Sequence, residues 1–345
     1  MMSPRERIDA LSALGEYLAA PSSADALSEV IFRARAENGW FTEENVRMAI
    51  NAIRHSFLDD GRLGEWLNGY PPILNPSPPL TVGLVMAGNI PLVGFHDLLC
   101  TFVAGHVAQI KCSDKDKVLL PFLLQALADI DDRTKPFFSI TDRLSGFDAV
   151  IATGSDNSAR YFESYFSPYP HIIRRNRNAV AVLSGEESDE SLSALAHDVF
   201  LYFGLGCRNV SMLYVPKGYD FRRLLDAFAA HRHVLNHHHY RNNFDYNLTL
   251  MLLNAEPHIQ GESILLAQAE GLQSRIGTLH YQEWDTTETL LRLLQLNESR
   301  IQCVVSETEL AGVRVVPFGE AQSPGLSDYP DGVDTLQFLL DIHQT

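Results

Sequence analysis

Short apolar runs alternate with longer helical patterns after residue 80, and this alternation limits the possible folds more than any other feature of the chain. The runs at 81–88, 106–113, 147–155, 177–185 and 210–218 have the length and composition of buried strands. Patterns with helical spacing of apolar residues separate them. Strands that alternate with helices at this spacing form βαβ units, so the sequence predicts an α/β protein built on parallel sheets.

The chain before this region has a different texture and is predicted to be helical from residue 5 to about residue 68. The segments 23–39 and 42–58 carry apolar residues at helical spacing, and Thr42 is expected to cap the second of them. The proline-rich stretch YPPILNPSPPL (70–80) cannot continue a helix and is predicted to be a linker.

The charge balance excludes some classes of partner. The chain has 27 lysines and arginines against 43 aspartates and glutamates, a formal net charge of −16. A surface this acidic repels nucleic acid and anionic lipid, so we expect no nucleic-acid partner and no binding to membrane surfaces. Any anionic ligand must then be held by a local cluster of basic side chains or backbone N–H groups.

The cysteines and the apolar segments bear on location. Cys100, Cys112, Cys207 and Cys303 form no C-x-x-C pair and no zinc-ligand spacing, so reduced thiols and no metal site are expected. No window approaches the roughly 18 apolar residues of a membrane span, and the N-terminus lacks the apolar core of a signal peptide. The sequence therefore predicts a cytoplasmic protein with no membrane insertion.

Polar and glycine-containing segments stand at the ends of predicted strands and helices, where ligands bind in open α/β sheets. They are AGNIP (87–91), KCSDKD (111–116), ATGSDNS (152–158) and GLGCRN (204–209). Cys207 lies in the last of them, in a glycine-rich turn that lets backbone N–H groups approach a reacting atom. A thiolate there would be a nucleophile, whereas a lone cysteine is more often a plain buried thiol.

The order of these segments resembles the aldehyde dehydrogenase superfamily. Asn89-Ile90-Pro91, Lys111-Cys112-Ser113, Thr153-Gly154-Ser155 and Gly204-Leu205-Gly206-Cys207 match its successive motifs, and VPFGEAQSPGL (316–326) resembles its Pro-Phe-Gly-Gly segment. The stretches GNIPLVGFHDLL, QIKCSDKD, GCRNVSMLYVP and DYPDGVDTLQFLL are more similar still to the LuxC-type acyl-CoA reductases. That branch shares the fold but reduces an activated acyl group to an aldehyde.

The resemblance implies roles for individual residues. Cys207 would be the nucleophile, and the Asn89 side chain together with the Cys207 backbone N–H would form an oxyanion hole. The residues implied in binding the cofactor are Lys111, Ser113, Gly154 and Ser155. The cofactor would be NADPH or NADH, with NADPH favoured, and coenzyme A would form part of an acyl-CoA substrate. Ser155 and Gly154 also suit an ordinary strand-to-helix turn with a helix cap.

One departure from the family pattern bears on the direction of the reaction. Hydrolytic aldehyde dehydrogenases carry a water-activating glutamate at the place of HIIRRNRNAV (171–180), which has no carboxylate. A second family glutamate is also missing from LQSRIGTLHY (272–281), which places the contact to the nicotinamide ribose in doubt. The basic residues Arg174, Arg175 and Arg177 are candidates to meet the phosphates of a carrier or a cofactor.

The predicted architecture is therefore aldehyde dehydrogenase-like, with two parallel-sheet α/β domains, a catalytic cleft between them that contains Cys207, and an N-terminal helical segment. The expected boundaries are a helical segment at 1–75, a nucleotide-binding domain at 76–180, a catalytic domain at 181–310 and a C-terminal segment at 311–345 that returns to the core. The sequence leaves open a homo-oligomer, an aldehyde-oxidising enzyme and a non-catalytic dinucleotide-binding protein.

The histidine-rich segment HRHVLNHHHYRNNFDYN (231–247) is the feature most easily mistaken for a metal site. Its three consecutive histidines, at 237–239, do not share one helix face, and no carboxylate stands at ligand spacing. A polar helix and loop near the mouth of the substrate site is the preferred interpretation.

Overall fold

Four helices open the chain. The structure, a computed structural model, describes residues 2–71 and 78–342. The helices are α1 (Pro4–Ala19), α2 (Ala24–Glu37), α3 (Glu43–Phe57) and α4 (Asp60–Leu67). Thr42 caps α3 as predicted, because its side chain accepts a hydrogen bond from the Asn45 N–H at 3.2 Å. The predicted linker lies partly outside the described residues.

A five-stranded parallel sheet follows and forms the centre of the first of two compact units. Its order is β3-β2-β1-β4-β5, and its helices are α5, α6 and α7. The bounds are β1 (Thr81–Val85), α5 (Phe95–Ala104), β2 (Val107–Lys111), α6 (Leu119–Ile130), β3 (Phe138–Ile140), β4 (Ala149–Thr153), α7 (Asp156–Phe166) and β5 (His171–Arg174). The sequence patterns predicted β1, β2 and β4 but missed the two short edge strands, β3 and β5.

The first unit buries one large core. It comprises residues 1–176 and 324–345. Its apolar cluster joins α1–α4 to the strands and to α5 and α6, with members such as Leu14, Phe41 and Phe102. Arg7 is fully buried in it and donates to the carbonyl oxygens of Met2, at 2.8 Å, and Val103, at 2.9 Å. The N-terminal helices therefore belong to the body of this unit.

The second unit comprises residues 177–323 and contains a seven-stranded sheet of order β12-β11-β6-β7-β10-β9-β8. All neighbouring strands are parallel except β8 and β9, which makes the sheet mixed. The strands are β6 (Asn178–Val182), β7 (Val210–Pro216), β8 (Ile259–Gln260), β9 (Leu265–Gln268), β10 (Thr278–Trp284), β11 (Ile301–Val305) and β12 (Val315–Val316). The helices are α8 (Asp189–Phe200), α9 (Arg222–Ala229), α10 (His238–Leu253) and α11 (Thr287–Leu296).

The C-terminal segment packs on the first unit. Helix α12 (Thr335–Asp341) lies in it, and the Trp66 indole donates to the Tyr329 hydroxyl at 2.8 Å. No helix of the described residues combines the length and the apolar character that a membrane crossing needs. Two α/β units with a helical N-terminal segment confirm the predicted fold class, and the mixed character of the second sheet adds to it.

Candidate active site

In the first unit, three strands end side by side at one edge of the sheet. Val85, near the end of β1, pairs with Lys111 of β2 on one side and with Ala152 of β4 on the other. The segments that follow these strands carry Asn89, then Ser113, then Gly154 and Ser155 in sequence. The structure thus places the residues predicted for this unit at the carboxyl edge of one parallel sheet, where α/β proteins bind ligands.

The turn after β1 lies directly against the turn after β2. A Cβ added to Gly88 would stand 2.6 Å from the Cβ and Oγ of Ser113, so only glycine allows this approach. The buried Asp116 side chain accepts from the Leu92 N–H at 2.9 Å, and burial raises the pKa of its carboxyl to about 6. These contacts fix the backbone on both sides of Asn89 relative to Ser113.

The turn after β4 begins helix α7. The Ser155 hydroxyl accepts from the Ser158 N–H at 3.3 Å and so caps the helix. A Cβ on Gly154 would stand 2.8 Å from the Cβ of Ser158, so the turn has no room for a side chain. The cap interpretation is therefore correct for Ser155.

The residues at this edge fit a nicotinamide dinucleotide. Lys111 is exposed at the last position of β2, and Ser155 is exposed at the start of α7. A cation at a strand end beside a tight glycine turn and a helix N-terminus offers a charge and backbone donors to ribose and pyrophosphate groups. Their role in binding a cofactor stays a prediction.

Arg174 has a different role from the one that the sequence suggested. Its guanidinium is buried, donates to Asp97 Oδ1 at 2.6 Å, and also donates to the Thr335 hydroxyl and the Pro330 carbonyl. The prediction that it meets a phosphate is therefore wrong, because Asp97 already neutralises its charge inside the fold. Arg175 is exposed and paired with Glu163, and its phosphate-binding role stays a prediction.

Arg177 begins the second unit and is half-buried. Its guanidinium donates to the Ile301 carbonyl at 3.2 Å, which ties the start of β6 to the start of β11. The predicted contact with a carrier phosphate stays a prediction for this residue too.

In the second unit, Cys207 lies in a turn between the end of α8 and the start of β7. Three successive residues before it, Tyr202, Phe203 and Gly204, have φ values of 51°, 59° and 75°. The left-handed region strains the two aromatic residues, at about 1–3 kcal/mol each. Cys207 itself is half-buried and forms no disulfide, and this partial exposure is compatible with a reactive thiol.

The Asn209 side chain holds the cysteine turn from inside. Its amide nitrogen donates to the Asp198 carbonyl at 3.0 Å and to the Leu201 carbonyl at 2.8 Å, both at the end of α8. Its amide oxygen accepts from the Gly206 N–H at 2.8 Å, and the residue is only 2% exposed. The side chain of Asn209 thus fixes the end of α8 and the Leu205–Gly206 peptide. The backbone N–H of Asn209 donates to the Gly206 carbonyl at 3.0 Å and so fixes the peptide that contains the Cys207 N–H.

Asp198 connects the cysteine helix to the segment that resembles Pro-Phe-Gly-Gly. Its carboxylate accepts from the Gly319 N–H at 2.7 Å and from the Ala321 N–H at 3.0 Å. Burial raises the pKa of this carboxyl to about 6, and Arg208 opposes the rise. The Arg208 side chain in turn donates to the Ala321 carbonyl, so the residue after Cys207 is tied to the same loop.

Neither Asn209 nor Asp198 was among the site residues predicted from the sequence. Asn209 stood inside the quoted motif GLGCRN, and its place two residues after the cysteine was the available signal.

The histidine-rich segment forms a short 3-10 helix (Arg232–Asn236) and the start of α10. Within the described chain, no group of three His, Cys, Asp or Glu side chains has a geometry that could hold a metal ion.

Comparison with known proteins identifies the family. The model of the family "Acyl-CoA reductase (LuxC)" matches residues 51–231, just over half of the chain. The chain belongs to the LuxC acyl-CoA reductase family. The matched region contains every candidate site residue, from Asn89 to Cys207. No curated protein sequence gives a significant match.

Solved structures similar to this LuxC family member are aldehyde dehydrogenases. Aldehyde dehydrogenase 21 from Physcomitrella patens, in complex with the reaction product succinate, superposes with a TM-score of 0.72 at 12% identity, over 99% of this chain and 84% of that one. A Mycobacterium tuberculosis aldehyde dehydrogenase with NAD+ gives 0.64 at 12% identity, over 85% of this chain and 71% of that one.

A third similar structure is a cysteine-to-alanine mutant of aldehyde dehydrogenase C from Pseudomonas syringae, in complex with NAD+ and octanal. It superposes with a TM-score of 0.61 at 13% identity, over 85% of this chain and 70% of that one. At these identities the likeness establishes the fold. Membership of the LuxC family supports an aldehyde-related oxidoreductase activity that depends on NAD(P).

Proposed function

We propose that the protein reduces an acyl thioester, acyl-CoA, to the aldehyde by way of an acyl-enzyme on Cys207. The observation that carries this proposal is the construction of the Cys207 turn in a LuxC family member. The turn is held by Asn209 and backed by the loop that Asp198 and Arg208 secure. Fixed backbone at a half-exposed thiol is what a nucleophile with a preorganised oxyanion donor requires.

The Cys207 thiolate adds to the thioester carbonyl, and the tetrahedral oxyanion accepts hydrogen bonds from the Cys207 N–H and, as predicted, from the Asn89 amide. The carbon–sulfur bond to coenzyme A then breaks, and the departing thiolate takes up a proton. The acyl group remains on Cys207. Each oxyanion donor of this kind contributes roughly 10²–10³ in rate.

The cofactor would be held by Lys111, Ser113, Gly154 and Ser155 at the carboxyl edge of the first sheet. When bound, NADPH or NADH supplies two electrons and a hydrogen to the acyl carbon. Release of the aldehyde then returns the electron pair of the carbon–sulfur bond to Cys207 as thiolate. We favour NADPH, and competition between the two nucleotides in the same assay tests that preference.

The lack of a carboxylate in residues 171–180 supports reduction over hydrolytic oxidation. In the structure this stretch forms β5 and the start of β6, and its Arg174 is committed to Asp97. With no base there to activate water, an acyl-enzyme would persist until a thiol or a reductant reaches it. Four cysteines outside any disulfide suit a reducing compartment such as the cytoplasm.

The test is transfer of a radiolabelled acyl group from acyl-CoA to the protein in the absence of nucleotide. We expect stoichiometric label on the native protein, none on Cys207→Ala, and full label on Cys112→Ala, since burial raises the pKa of the Cys112 thiol. Label on Cys207→Ala would refute the proposal. Addition of NADPH should release the label as aldehyde; carboxylate as the product would instead favour an aldehyde-oxidising enzyme.

A further inference from the structure

The surface of the second unit has a cavity of about 360 Å³ at the start of α10 that the proposed mechanism does not use. It is lined by Ala230, Arg232, His233, Leu235, Asn236, Arg241 and Glu262. Among these described lining residues, two arginines and a histidine face one carboxylate. Such a cationic concavity is unusual in a chain with a net charge of −16.

The positive charge of this cavity is poorly compensated within the protein. The guanidinium of Arg232 is 3.9 Å from Glu262, at the limit of an ion pair, and both side chains are exposed. For Arg241, no side-chain hydrogen bond or ion pair is found within the described part of the chain. Both arginines therefore have N–H donors that can bind an external anion.

Helix α10 increases the positive potential. It starts beside the cavity, has no acidic residue in its first turn and no side-chain cap at His237. Basic side chains at a helix N-terminus are unfavourable, because that end already carries a partial positive charge. Burial, with the nearby charges of His233 and His197, lowers the pKa of His231. An anion in the cavity would offset the unfavourable placement of basic side chains at this helix end.

Two histidines that neighbour the lining residues in the chain pack on the segment that leads to Cys207. The His231 ring stacks on Phe200 at the end of α8, with ring centroids 5.3 Å apart. The His237 ring stacks on Phe203, in the left-handed turn, at 4.4 Å. Phe203 precedes the candidate nucleophile by four residues, so the segment that carries the lining residues 232–236 is packed, through His231 and His237 on either side of it, on the approach to the cysteine turn.

We propose that this cavity binds a phosphate group, and that the group belongs to the phosphorylated nucleotide of the acyl carrier. Arg241 and Arg232 would donate to the phosphate oxygens, with His233 and Asn236 at the rim. Phosphate binding stands on the cavity alone, whereas the carrier as its source rests on the proposed function. Planar guanidinium groups suit phosphate oxygens because they offer paired donors.

Calorimetric titration of the full-length protein tests the binding site. The probes are inorganic pyrophosphate and adenosine 3′,5′-bisphosphate, the nucleotide part of coenzyme A. We expect both to bind, Arg241→Gln and Arg232→Gln each to weaken binding by roughly tenfold, and affinity to fall with salt. Arg292→Gln is the matched control, because Arg292 is exposed on α11 of the same unit.

Each outcome is decisive. If neither probe binds, or if Arg241→Gln and Arg232→Gln bind them as the native protein does, there is no phosphate site in this cavity. If pyrophosphate binds and the bisphosphate does not, the carrier is not the source of the phosphate. Binding measured on Cys207→Ala separates this question from the proposed chemistry, since the cavity should bind the probes whether or not that cysteine is acylated.

A kinetic measurement adds a readout that loss of structure would not give. Arg241→Gln should raise KM for acyl-CoA by roughly tenfold and leave kcat unchanged. With the corresponding acyl-pantetheine, which lacks phosphate, the variant and the native protein should have the same KM. An equal rise for both substrates would contradict the assignment to the carrier phosphate.

Discussion

Replacement of Asn209 by alanine should both loosen the cysteine turn and destabilise the second unit. The side chain makes three hydrogen bonds of 2.8–3.0 Å, to the Gly206 N–H and to the carbonyls of Asp198 and Leu201. All three partners are backbone groups, and Asn209 is 2% exposed. Alanine would leave these groups without their partner in a place that water reaches poorly.

The magnitude follows from the number of bonds. A typical intramolecular hydrogen bond contributes about 1 kcal/mol to stability, so the loss of three predicts a decrease of about 3 kcal/mol in the free energy of unfolding. The variant Asn209→Asp keeps the acceptor for Gly206 but turns an oxygen toward two carbonyls. Asn209→Asp should therefore be destabilised at least as much as Asn209→Ala. An explanation based only on lost side-chain volume does not predict this result.

The assay must report on the second unit by itself. Trp284, in β10, is the only one of the three tryptophans in residues 177–323. Its ¹⁹F signal after fluorotryptophan labelling therefore follows unfolding of that unit in urea. The rate of alkylation of Cys207 by iodoacetamide gives the second readout, and Asn209→Ala should change it in the folded state.

Asn254→Ala is the control for this prediction. Asn254 is an exposed asparagine just after α10, with a single side-chain bond to Glu256, and its replacement should cost under about 0.5 kcal/mol. A loss below about 1 kcal/mol for Asn209→Ala, together with a native alkylation rate, would show that the three bonds do not hold the turn.

Three further perturbations test other parts of the structure. Because the pKa of Asp198 is raised, the folded state binds more protons than the unfolded state between about pH 4 and 6, and the free energy of unfolding falls as pH rises through this range. Asp198→Asn should reduce the slope of that free energy against pH by up to about 1.4 kcal/mol per pH unit, measured by urea titrations at several pH values. Gly88→Ala should cost about 1–3 kcal/mol and weaken the proposed NADPH binding, measured by fluorescence. Gly64→Ala, inside α4 where a Cβ meets nothing within 4 Å, should not destabilise the protein and should gain up to about 1 kcal/mol. Asp97→Ala leaves its arginine partner charged and buried, and should lower the free energy of unfolding of the first unit by about 3–5 kcal/mol; a loss below about 1 kcal/mol would contradict that account.

In the first sheet, the sequence predicts the strands that have a full apolar run and misses those that do not; in the second sheet it predicts β6 and β7 but not the interior strands β10 and β11. Strand β1, in the centre of its sheet, has Val82, Gly83 and Leu84 buried, and its pattern is recognisable without the structure. Strands β3 and β5 have three and four residues and stand at the two edges of that sheet. A strand this short has no periodicity to detect, and only its neighbour makes it a strand.

The candidate site shows the same division between local and distant information. The turns that carry Asn89, Ser113 and Ser155 follow recognisable strands, so their shared sheet edge could be predicted from the sequence. Arg174 could not be assigned correctly, because its partner Asp97 lies 77 residues earlier in the chain. The bonds from Asp198 to the loop at 319–321 span more than 120 residues and were inaccessible for the same reason.

The left-handed turn before Cys207 explains why so many buried groups converge on a single loop. Two aromatic residues with positive φ cost about 1–3 kcal/mol each, and they persist only where their surroundings stabilise them. Tyr202 and Phe203 are buried, and Phe203 stacks on His237, so packing offsets the strain. The turn reverses the chain at the end of α8, and the Asn209 N–H donates to the Gly206 carbonyl at 3.0 Å, which holds the Gly206–Cys207 peptide in one direction. A backbone donor that is already oriented needs no reorganisation when negative charge develops on a substrate oxygen, and this is the advantage that the strained turn would give Cys207 in its proposed role as nucleophile.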